Sequence, residues 1–323
     1  MVEFDLIARI RARAAARTDV VLGIGDDCAL LLPPAGMQLA VTADTLNAGV
    51  HFFPDAAPAD IGWKTLAVNL SDLAAMGAAP AWCLLSLSLP ESDAAWVDAF
   101  LDGFLALAAE HNVALVGGDT THGPLSIGVI AHGLVAPGTA LRRDAAQADD
   151  DVWVSGQLGD AAAALALIST DGAEARPAAG AAALRTRLDR PEPRVALGLA
   201  LRGVANACID VSDGLLSDLG HVCVASNVAA RINVDALPFS TALDALGLDA
   251  GRRRALQASG GDDYELCFTA PPARREAVTV AAASAGVPVT RIGSIHAGTG
   301  VQALDANGVE WVPPRSGYVH FSD

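Results

Sequence analysis

Apolar side chains recur along the chain at two spacings, one typical of helices and one typical of strands. After Pro58, apolar residues return at helical intervals from Trp63 to Ala74, which predicts a helix that stops at Gly77. The stretch from Trp82 to Leu89 alternates instead, which predicts a strand. The same two patterns predict helices at 3–16, 94–109, 159–168, 181–188, 194–203, 215–225, 251–258 and 272–285, and strands at 39–43, 113–116, 126–135, 152–155, 209–211, 231–234, 265–269 and 289–295. This alternation predicts a mixed α/β protein.

A break in the pattern divides the chain into two parts. Residues 137–151 carry Pro137, Gly138, two arginines and three successive aspartates, and the length of 323 residues suits two domains. We therefore predict an N-terminal domain at 1–137, a linker at 138–150 and a C-terminal domain at 151–323, which ends in a hairpin and a tail that carries Tyr318. No apolar run reaches the roughly 18 residues that span a bilayer, and residues 1–17 lack the apolar core of a secretory signal.

Composition narrows the possible partners. The formal net charge is −16, so a nucleic acid, whose phosphates need a basic surface, is not an expected partner. The five cysteines are scattered and contain no Cys-x-x-Cys pair, which disfavours both a disulfide framework and a zinc site. Buried thiols in a reducing cytoplasm are the expected state, and we expect no membrane partner.

Short acidic clusters, most of them beside glycine, stand at the edges of apolar runs. They are Gly25-Asp26-Asp27, Thr42-Ala43-Asp44, Asn69-Leu70-Ser71-Asp72, Gly117-Gly118-Asp119-Thr120-Thr121, Asp210-Val211-Ser212-Asp213-Gly214 and Gly260-Gly261-Asp262-Asp263-Tyr264-Glu265. A carboxylate in an apolar setting is costly unless a positive group meets it. Cations are few, because the 37 acidic residues face 21 basic ones, with Lys64 the single lysine. We therefore expect the acidic clusters to bind a divalent metal ion, and Mg²⁺, which prefers oxygen ligands, is the first candidate.

Several familiar phosphate-binding and catalytic motifs are missing. A P-loop needs Gly-Lys-Ser/Thr, whereas Lys64 follows Trp63 inside a predicted helix. The protein-kinase motifs, a complete dinucleotide fingerprint and a Gly-x-Ser-x-Gly elbow are also absent. Acidic turns that converge at strand ends would instead hold Mg²⁺ against substrate phosphates, which favours phosphoryl transfer by positioning and charge neutralisation. Each cluster alone also fits an ordinary turn, and Ser212-Asp213 fits a helix N-cap.

Taken in order, these clusters, together with His51-Phe52, Leu73-Ala74-Ala75-Met76-Gly77-Ala78 and Leu266, resemble the motifs of the thiamine-monophosphate kinases. The resemblance runs from about residue 4 to Tyr318. That family belongs to a superfamily with aminoimidazole ribonucleotide synthetase, selenophosphate synthetase and a hydrogenase-maturation dehydratase. It implies a two-domain PurM-like fold, and a homodimer in which N-terminal strands form a β-barrel-like interface.

The resemblance also implies a reaction and a set of site residues. ATP and thiamine phosphate would give ADP and thiamine diphosphate, with several Mg²⁺ ions and without a catalytic base or a phospho-enzyme. The implied metal ligands are Asp27, Thr42, Asp44, Asp72, Asp119, Asp210 and Asp213; the implied ATP contacts are Gly118, Asp119, Arg143 and Ser212; the implied thiamine phosphate contacts are His51, Asp262 and Tyr318.

Two positions depart from the family pattern. Ala43 stands where the family often has a hydroxyl residue, and Asp262 stands where the family commonly has glutamate. Ala43 provides no metal contact, and a water can fill the gap left by the shorter Asp262. Two other functions remain open from the sequence. One is a different ATP-dependent enzyme of the superfamily, and the other is a non-catalytic metal-binding scaffold.

Overall fold

The computed structural model describes residues 3–170, 180–314 and 317–318, so part of the predicted C-terminal tail lies outside the described residues. The chain divides into two compact units. The first comprises Met1–Leu73 and Ala78–Gly138, and the second comprises Ala74–Gly77 and Thr139–Asp323. Within the described ranges, no helix is both long enough and apolar enough to cross a membrane.

The first unit is built on a four-stranded sheet with the strand order β3-β6-β4-β5. Only the β4–β5 pair is parallel, and a separate two-stranded sheet joins β1 and β2. The elements are α1 (Glu3–Arg13), β1 (Val20–Leu22), β2 (Leu30–Leu31), β3 (Gln38–Asn47), α2 (Pro58–Ala75), β4 (Ala79–Leu89), α3 (Ala94–Glu110), β5 (Ala114–His122) and β6 (Ser126–Val135).

Two strands of this unit are longer than the sequence predicted. β3 continues past Ala43 to Asn47, and β5 continues through the Gly117-Gly118 pair to His122. Asp44 and Asp119 therefore lie inside strands and not on turns, in register with Val129 and Ser86 respectively. The physical reason is pairing, because the ladder of a neighbouring strand outweighs the low strand propensity of glycine and aspartate.

The second unit contains a six-stranded sheet with the order β12-β9-β11-β7-β10-β8. Its pairs are antiparallel except for β12 with β9. The elements are β7 (Asp151–Ser155), α4 (Asp160–Thr170), α5 (Ala181–Asp189), α6 (Val195–Ala200), β8 (Ala207–Val211), α7 (Leu215–Ser226), β9 (Ala229–Asn233), α8 (Thr241–Asp244), α9 (Ala250–Ser259), β10 (Glu265–Ala270), α10 (Arg275–Ala285), β11 (Val289–His296) and β12 (Gly300–Leu304). Short 3₁₀ turns occupy Arg143–Ala145, Val234–Ala236 and Pro272–Arg274.

The segment after β11 contains a short antiparallel turn, as the predicted trailing hairpin requires, and adds a parallel edge strand. β12 pairs in parallel with β9. An antiparallel bridge joins Leu304 to Glu310, and the Trp311 N–H donates to the Ala303 carbonyl at 2.8 Å. Residues after Thr139 belong to the second unit, where Leu141, Ala146 and Asp150 are buried. The Asp150 carboxylate accepts hydrogen bonds from the side chains of Asn206 and Thr269, at 3.0 Å each.

Glu265, at the start of β10, is fully buried, with 0% of its side chain exposed. Its carboxylate accepts hydrogen bonds from Arg194 at 2.6 and 2.7 Å, from Arg187 at 2.8 Å and from Ser155 at 2.6 Å. Burial alone would raise the pKa of Glu265, but the two guanidinium groups and the Ser155 hydroxyl hold that pKa below its ordinary value. Arginine side chains therefore supply the positive charge that this acid of the last cluster needs.

The Glu265 site gives a prediction about stability. Glu265→Gln leaves two partly buried guanidinium groups without the fully buried carboxylate that pairs with them, so we expect the free energy of unfolding to fall by about 3–5 kcal/mol. Urea denaturation measures this as a lower midpoint at unchanged slope. The matched control is Glu192→Gln, which removes an acid that is 63% exposed and pairs with the same arginines; it should cost under about 1 kcal/mol.

The stability difference between the wild-type protein and Glu265→Gln should depend on pH. The folded state lowers the pKa of Glu265 from 4.5. The ionised carboxylate therefore stabilises the fold fully above pH 4.5, and this stabilisation is lost as the pH falls through the lower folded-state pKa. The gap between the wild-type protein and Glu265→Gln should therefore narrow below pH 4.5. Two results would contradict a stabilising role for ionised Glu265. One is a loss of unfolding free energy in Glu265→Gln that equals the loss in Glu192→Gln, and the other is a loss that grows as the pH falls.

Candidate functional site

The first unit brings together three of the predicted metal ligands. Thr42 and Asp44 lie two positions apart on β3 and so share one face of the strand. The Thr42 hydroxyl donates a hydrogen bond to the Asp72 carboxylate, which lies on α2. Asp44 also shares a hydrogen bond with Asp72, so the three side chains form one contiguous group.

The Asp44–Asp72 pair carries more negative charge than its surroundings compensate. Burial, then the Asp72 charge and the hydrogen bond with Asp72, raise the pKa of Asp44 to about 6. Two carboxyl groups that share a proton in this way are hard oxygen donors, and a divalent cation in place of the proton would relieve their repulsion. The donor set therefore fits Mg²⁺. Within the described ranges, no cluster of three or more His, Cys, Asp or Glu side chains is close enough to hold a metal.

The other acidic candidates of the first unit, Asp27 and Asp119, are exposed. Asp27 lies between β1 and β2, and its backbone N–H donates to the Asp26 carboxylate at 2.9 Å. Asp119 follows Gly118 on β5. Gly118 has a φ of +151°, and a Cβ there would lie 1.7 Å from the Leu85 carbonyl oxygen, so only glycine fits beside β4.

His51 lies in the turn that follows β3 and is half-buried. Its Nδ1 accepts a hydrogen bond of 3.0 Å from the Asn47 backbone N–H. An accepting Nδ1 leaves Nε2 as the protonated nitrogen of the neutral ring. The ring is therefore fixed in orientation and in tautomer.

The second unit places three of its candidates on residues 210–214, the last two residues of β8 and the turn before α7, here called the loop 210–214. Asp210 is buried at the end of β8, and Ser212 and Asp213 are half-buried in the loop. Gly214 has a φ of +121°, a conformation that favours glycine, and ends the loop where α7 begins. The loop thus carries one predicted ATP contact and two predicted metal ligands.

Asp218, on the first turn of α7, lies behind this loop and is 3% exposed. Its Oδ2 accepts hydrogen bonds from the backbone N–H groups of Ser212, Asp213 and Gly214, each at 3.1 Å. Burial and then the Asp213 charge raise the pKa of Asp218 to about 7, while the three backbone hydrogen bonds act in the opposite direction.

Two of the predicted substrate contacts adjoin the same loop. The Asp262 N–H donates to the Ser212 carbonyl at 2.9 Å, and the Tyr318 N–H donates to the Asp213 carbonyl at 3.0 Å. Asp262 and Tyr264 both have positive φ, 67° and 50°, and the Tyr264 hydroxyl donates to Asp262 Oδ1 at 3.0 Å. The predicted substrate side chains are therefore attached to the predicted metal loop through the backbone.

Buried Asp263 anchors the segment that carries Asp262. Both oxygens of its carboxylate accept from the Gly159 N–H, at 3.0 and 3.1 Å, immediately before α4. Burial raises the pKa of Asp263 well above its ordinary value. With Glu265 held by arginines, the segment is fixed on both sides of Tyr264, and this support stabilises its left-handed residues.

Arg143, the remaining predicted ATP contact, is exposed in a 3₁₀ turn. Its carbonyl accepts a hydrogen bond of 2.7 Å from the Ser226 hydroxyl, so the turn is fastened to the end of α7. Four of the five cysteines are buried as expected, whereas Cys28 is exposed.

The structure therefore gathers eight of the thirteen predicted residues into two groups, one in each unit, and Asp27, His51, Gly118, Asp119 and Arg143 lie outside the contacts that define these groups. Thr42, Asp44 and Asp72 form the first, and the loop 210–214 with Asp262 and Tyr318 forms the second. Sequence reasoning missed Asp218, which looks like an ordinary first-turn acid of a helix. It also gave no role to Tyr264, although this residue lies within the last acidic cluster.

Two family descriptions match the sequence. AIR synthase related protein, N-terminal domain, matches residues 25–135, and AIR synthase related protein, C-terminal domain, matches residues 147–305. Together they confirm the predicted two-domain fold.

Relatives and solved structures match over nearly the whole chain. Thiamine-monophosphate kinase of Salmonella typhimurium is 48% identical over 321 residues, which is 99% of this chain and 98% of that protein. The crystal structure of thiamine-monophosphate kinase from Stenotrophomonas maltophilia has a TM-score of 0.87 at 58% identity and covers 94% of this chain and 96% of that one. The structure of AaThiL complexed with AMPPCP and TMP has a TM-score of 0.79 at 32% identity, and the match covers 99% of this chain and 97% of that one. The chain therefore belongs to the thiamine-monophosphate kinase family, as its motifs predicted.

Proposed function

We propose that this protein transfers the γ-phosphoryl group of ATP to thiamine phosphate and so forms thiamine diphosphate and ADP. The observation that carries the proposal is similarity over nearly the full length to thiamine-monophosphate kinases, one of which is 48% identical. The related AaThiL structure holds AMPPCP, an ATP analogue, together with TMP. The carboxylates of the two groups described above support the proposal, because oxygen ligands of this kind suit Mg²⁺ bound with substrate phosphates.

The roles of the residues follow from their chemistry. In the first unit, Asp27, Thr42, Asp44, Asp72 and Asp119 are proposed to hold Mg²⁺, and His51 to contact thiamine phosphate. In the second unit, Asp210 and Asp213 are proposed as metal ligands, and Asp262 and Tyr318 as thiamine phosphate contacts. Gly118, Asp119, Arg143 and Ser212 are the proposed ATP contacts.

Thiamine phosphate, the proposed acceptor of the phosphoryl group, needs no catalytic base. A phosphate monoester has a second pKa of about 6, so it is largely ionised near neutral pH. The obstacle is the approach of two polyanions, since unit charges 4 Å apart repel by about 4 kcal/mol at an effective dielectric of about 20. Bound Mg²⁺ would neutralise phosphate charge. Arg143 would add a fixed positive charge at the nucleotide.

The thiazolium ring of thiamine phosphate is a fixed cation, which explains the choice of groups around it. An aromatic face such as that of Tyr318 attracts a cation, and the Asp262 carboxylate supplies the opposite charge. The hydrogen bond of 3.0 Å from the Tyr264 hydroxyl to Asp262 orients this carboxylate. We infer that Tyr264 thereby supports substrate binding.

We further propose that the protein works as a homodimer in the cytoplasm. β3 is an edge strand of its sheet. On its outward face, Leu39 is 49% exposed and Val41 is 59% exposed, and Ile130 on the neighbouring strand β6 is 39% exposed. An apolar sheet face with an open edge favours association with a second copy. The four buried unpaired thiols suit a reducing compartment.

The activity is tested directly. Purified protein with Mg²⁺, ATP and thiamine phosphate should give equal amounts of ADP and thiamine diphosphate, measured by chromatography. Product should vanish with EDTA, because the carboxylates then repel the phosphates. ATP hydrolysis without thiamine diphosphate would favour another enzyme of the superfamily, and no turnover by folded protein would favour a binding scaffold.

Asp72→Asn tests the carboxylate group of the first unit. The amide keeps the shape of the side chain and an acceptor for Thr42 but removes the charge that attracts Mg²⁺, so we expect kcat to fall by at least about 100-fold. Circular dichroism should remain that of the wild type. The control is Asp102→Asn, which changes an aspartate that is 67% exposed and should leave kcat unchanged. An unchanged kcat in Asp72→Asn removes this residue from the proposed site.

Val41→Glu tests the dimer. A charge on the outward face of β3 would be buried against the second copy, so sedimentation should show a monomer. Val224→Glu, at a position on α7 that is 77% exposed, is the matched control and should stay dimeric. A dimeric Val41→Glu variant shows that this face is not the interface.

A further inference from the structure

We propose that Asp218 is a positioning residue that sets the geometry of both the loop 210–214 and the substrate-contacting side chains attached to it. The inference rests on the proposed function only for the identity of the ligands. The geometry itself comes from three consecutive peptide units. Asp218 is not a candidate ligand and lies behind the loop on α7.

Each of the three peptide units is bonded at both ends. On one side, the N–H groups of Ser212, Asp213 and Gly214 all donate to Asp218 Oδ2 at 3.1 Å. The carbonyls of the same three units belong to residues 211–213. They accept from Tyr264 at 2.8 Å, from Asp262 at 2.9 Å and from Tyr318 at 3.0 Å.

A peptide unit is planar, so the direction of its N–H fixes the direction of its C=O. Because one carboxylate oxygen holds three N–H groups, it orients three carbonyls at the same time. Those carbonyls in turn hold the backbone of Asp262, Tyr264 and Tyr318. A change at Asp218 therefore reaches both the predicted metal ligand Asp213 and the predicted substrate contacts, without removing any group that touches a ligand.

The surrounding structure supports this coupling. A Cβ on Gly261 would lie 2.6 Å from the Ser212 carbonyl oxygen, and a Cβ on Gly214 would lie 2.9 Å from the Ser259 carbonyl carbon. The loop and the segment 260–264 thus pack backbone against backbone, with no side chain to absorb a shift. The Asp218 N–H also donates to the Gly214 carbonyl at 3.0 Å, which closes the contact between α7 and the loop.

Amide hydrogen exchange tests the positioning role without any ligand. In Asp218→Ala, exchange should become faster at residues 212–214, and the increase should extend to Asp262, Tyr264 and Tyr318. The matched control is Glu276→Ala, which removes an exposed first-turn acid from α10 and should leave these amides unchanged. Faster exchange that is confined to 212–214 overturns the proposal, because the peptide units would then not transmit the change.

Ligand binding provides the second readout. Calorimetry with AMPPCP should show that Asp218→Ala weakens binding in the presence of Mg²⁺ by about 10–100-fold, while binding without metal changes little. The KM for thiamine phosphate should rise as well. Asp218→Asn, which keeps an acceptor oxygen, should restore most of both values. Wild-type affinity and KM in the folded Ala variant would show that Asp218 only stabilises the helix, and would overturn the proposal.

The outcomes remain separable from those of the proposed function. If the wild-type protein forms no thiamine diphosphate, the proposed function fails, but hydrogen exchange still decides the role of Asp218. If Asp218→Ala does not fold, Asp218→Asn carries the test, because its uncharged oxygen is a weaker acceptor. That variant should then show faster exchange at Asp262 and Tyr318 than the wild type, and identical exchange overturns the proposal.

Discussion

Burial of negative charge is the constraint on which the rest of this structure depends. An ionised carboxylate removed from water is tolerated only with a compensating partner. Arginine side chains hold the pKa of Glu265 below its ordinary value, whereas Asp218 and Asp263 accept backbone hydrogen bonds and keep raised pKa values because of burial. Asp44 and Asp72 share a hydrogen bond with each other, so two carboxyl groups meet at one point, where a cation would be a fitting partner.

The same constraint explains why the segments 210–214 and 260–265 behave as one structural unit. Asp218 on α7 holds the N–H groups of the first segment from behind, and the second segment is held through Asp263 and Glu265. The side chains of Ser212, Asp213 and Asp262 are more accessible than these three acids. Buried structural carboxylates therefore lie beside candidate functional side chains and hold them in place.

Sequence reasoning found the elements whose pattern is local. The strand β6 follows directly from spacing, because its side chains alternate in burial, and α2 follows from apolar residues at helical spacing, although it is buried nearly all round. It misplaced Asp44 and Asp119 on turns, because the strand partner that extends β3 and β5 is distant in sequence. For the same reason the sequence did not show that arginines meet Glu265. Arg187 and Arg194 lie more than seventy positions away, and no local pattern connects them with Glu265.

The hydrogen bonds of Asp218 distinguish the loop 210–214 from a P-loop. Consecutive backbone N–H groups at the start of a helix commonly form a cradle for phosphate. Here the N–H groups of residues 212–214 are already bonded to a carboxylate. The loop therefore offers an anion only its Ser212 hydroxyl and its acidic side chains, which would repel a phosphate. Under the proposed function, attraction for a phosphate at this loop would come from a cation held by Asp210 and Asp213, since the single lysine of the chain lies on α2.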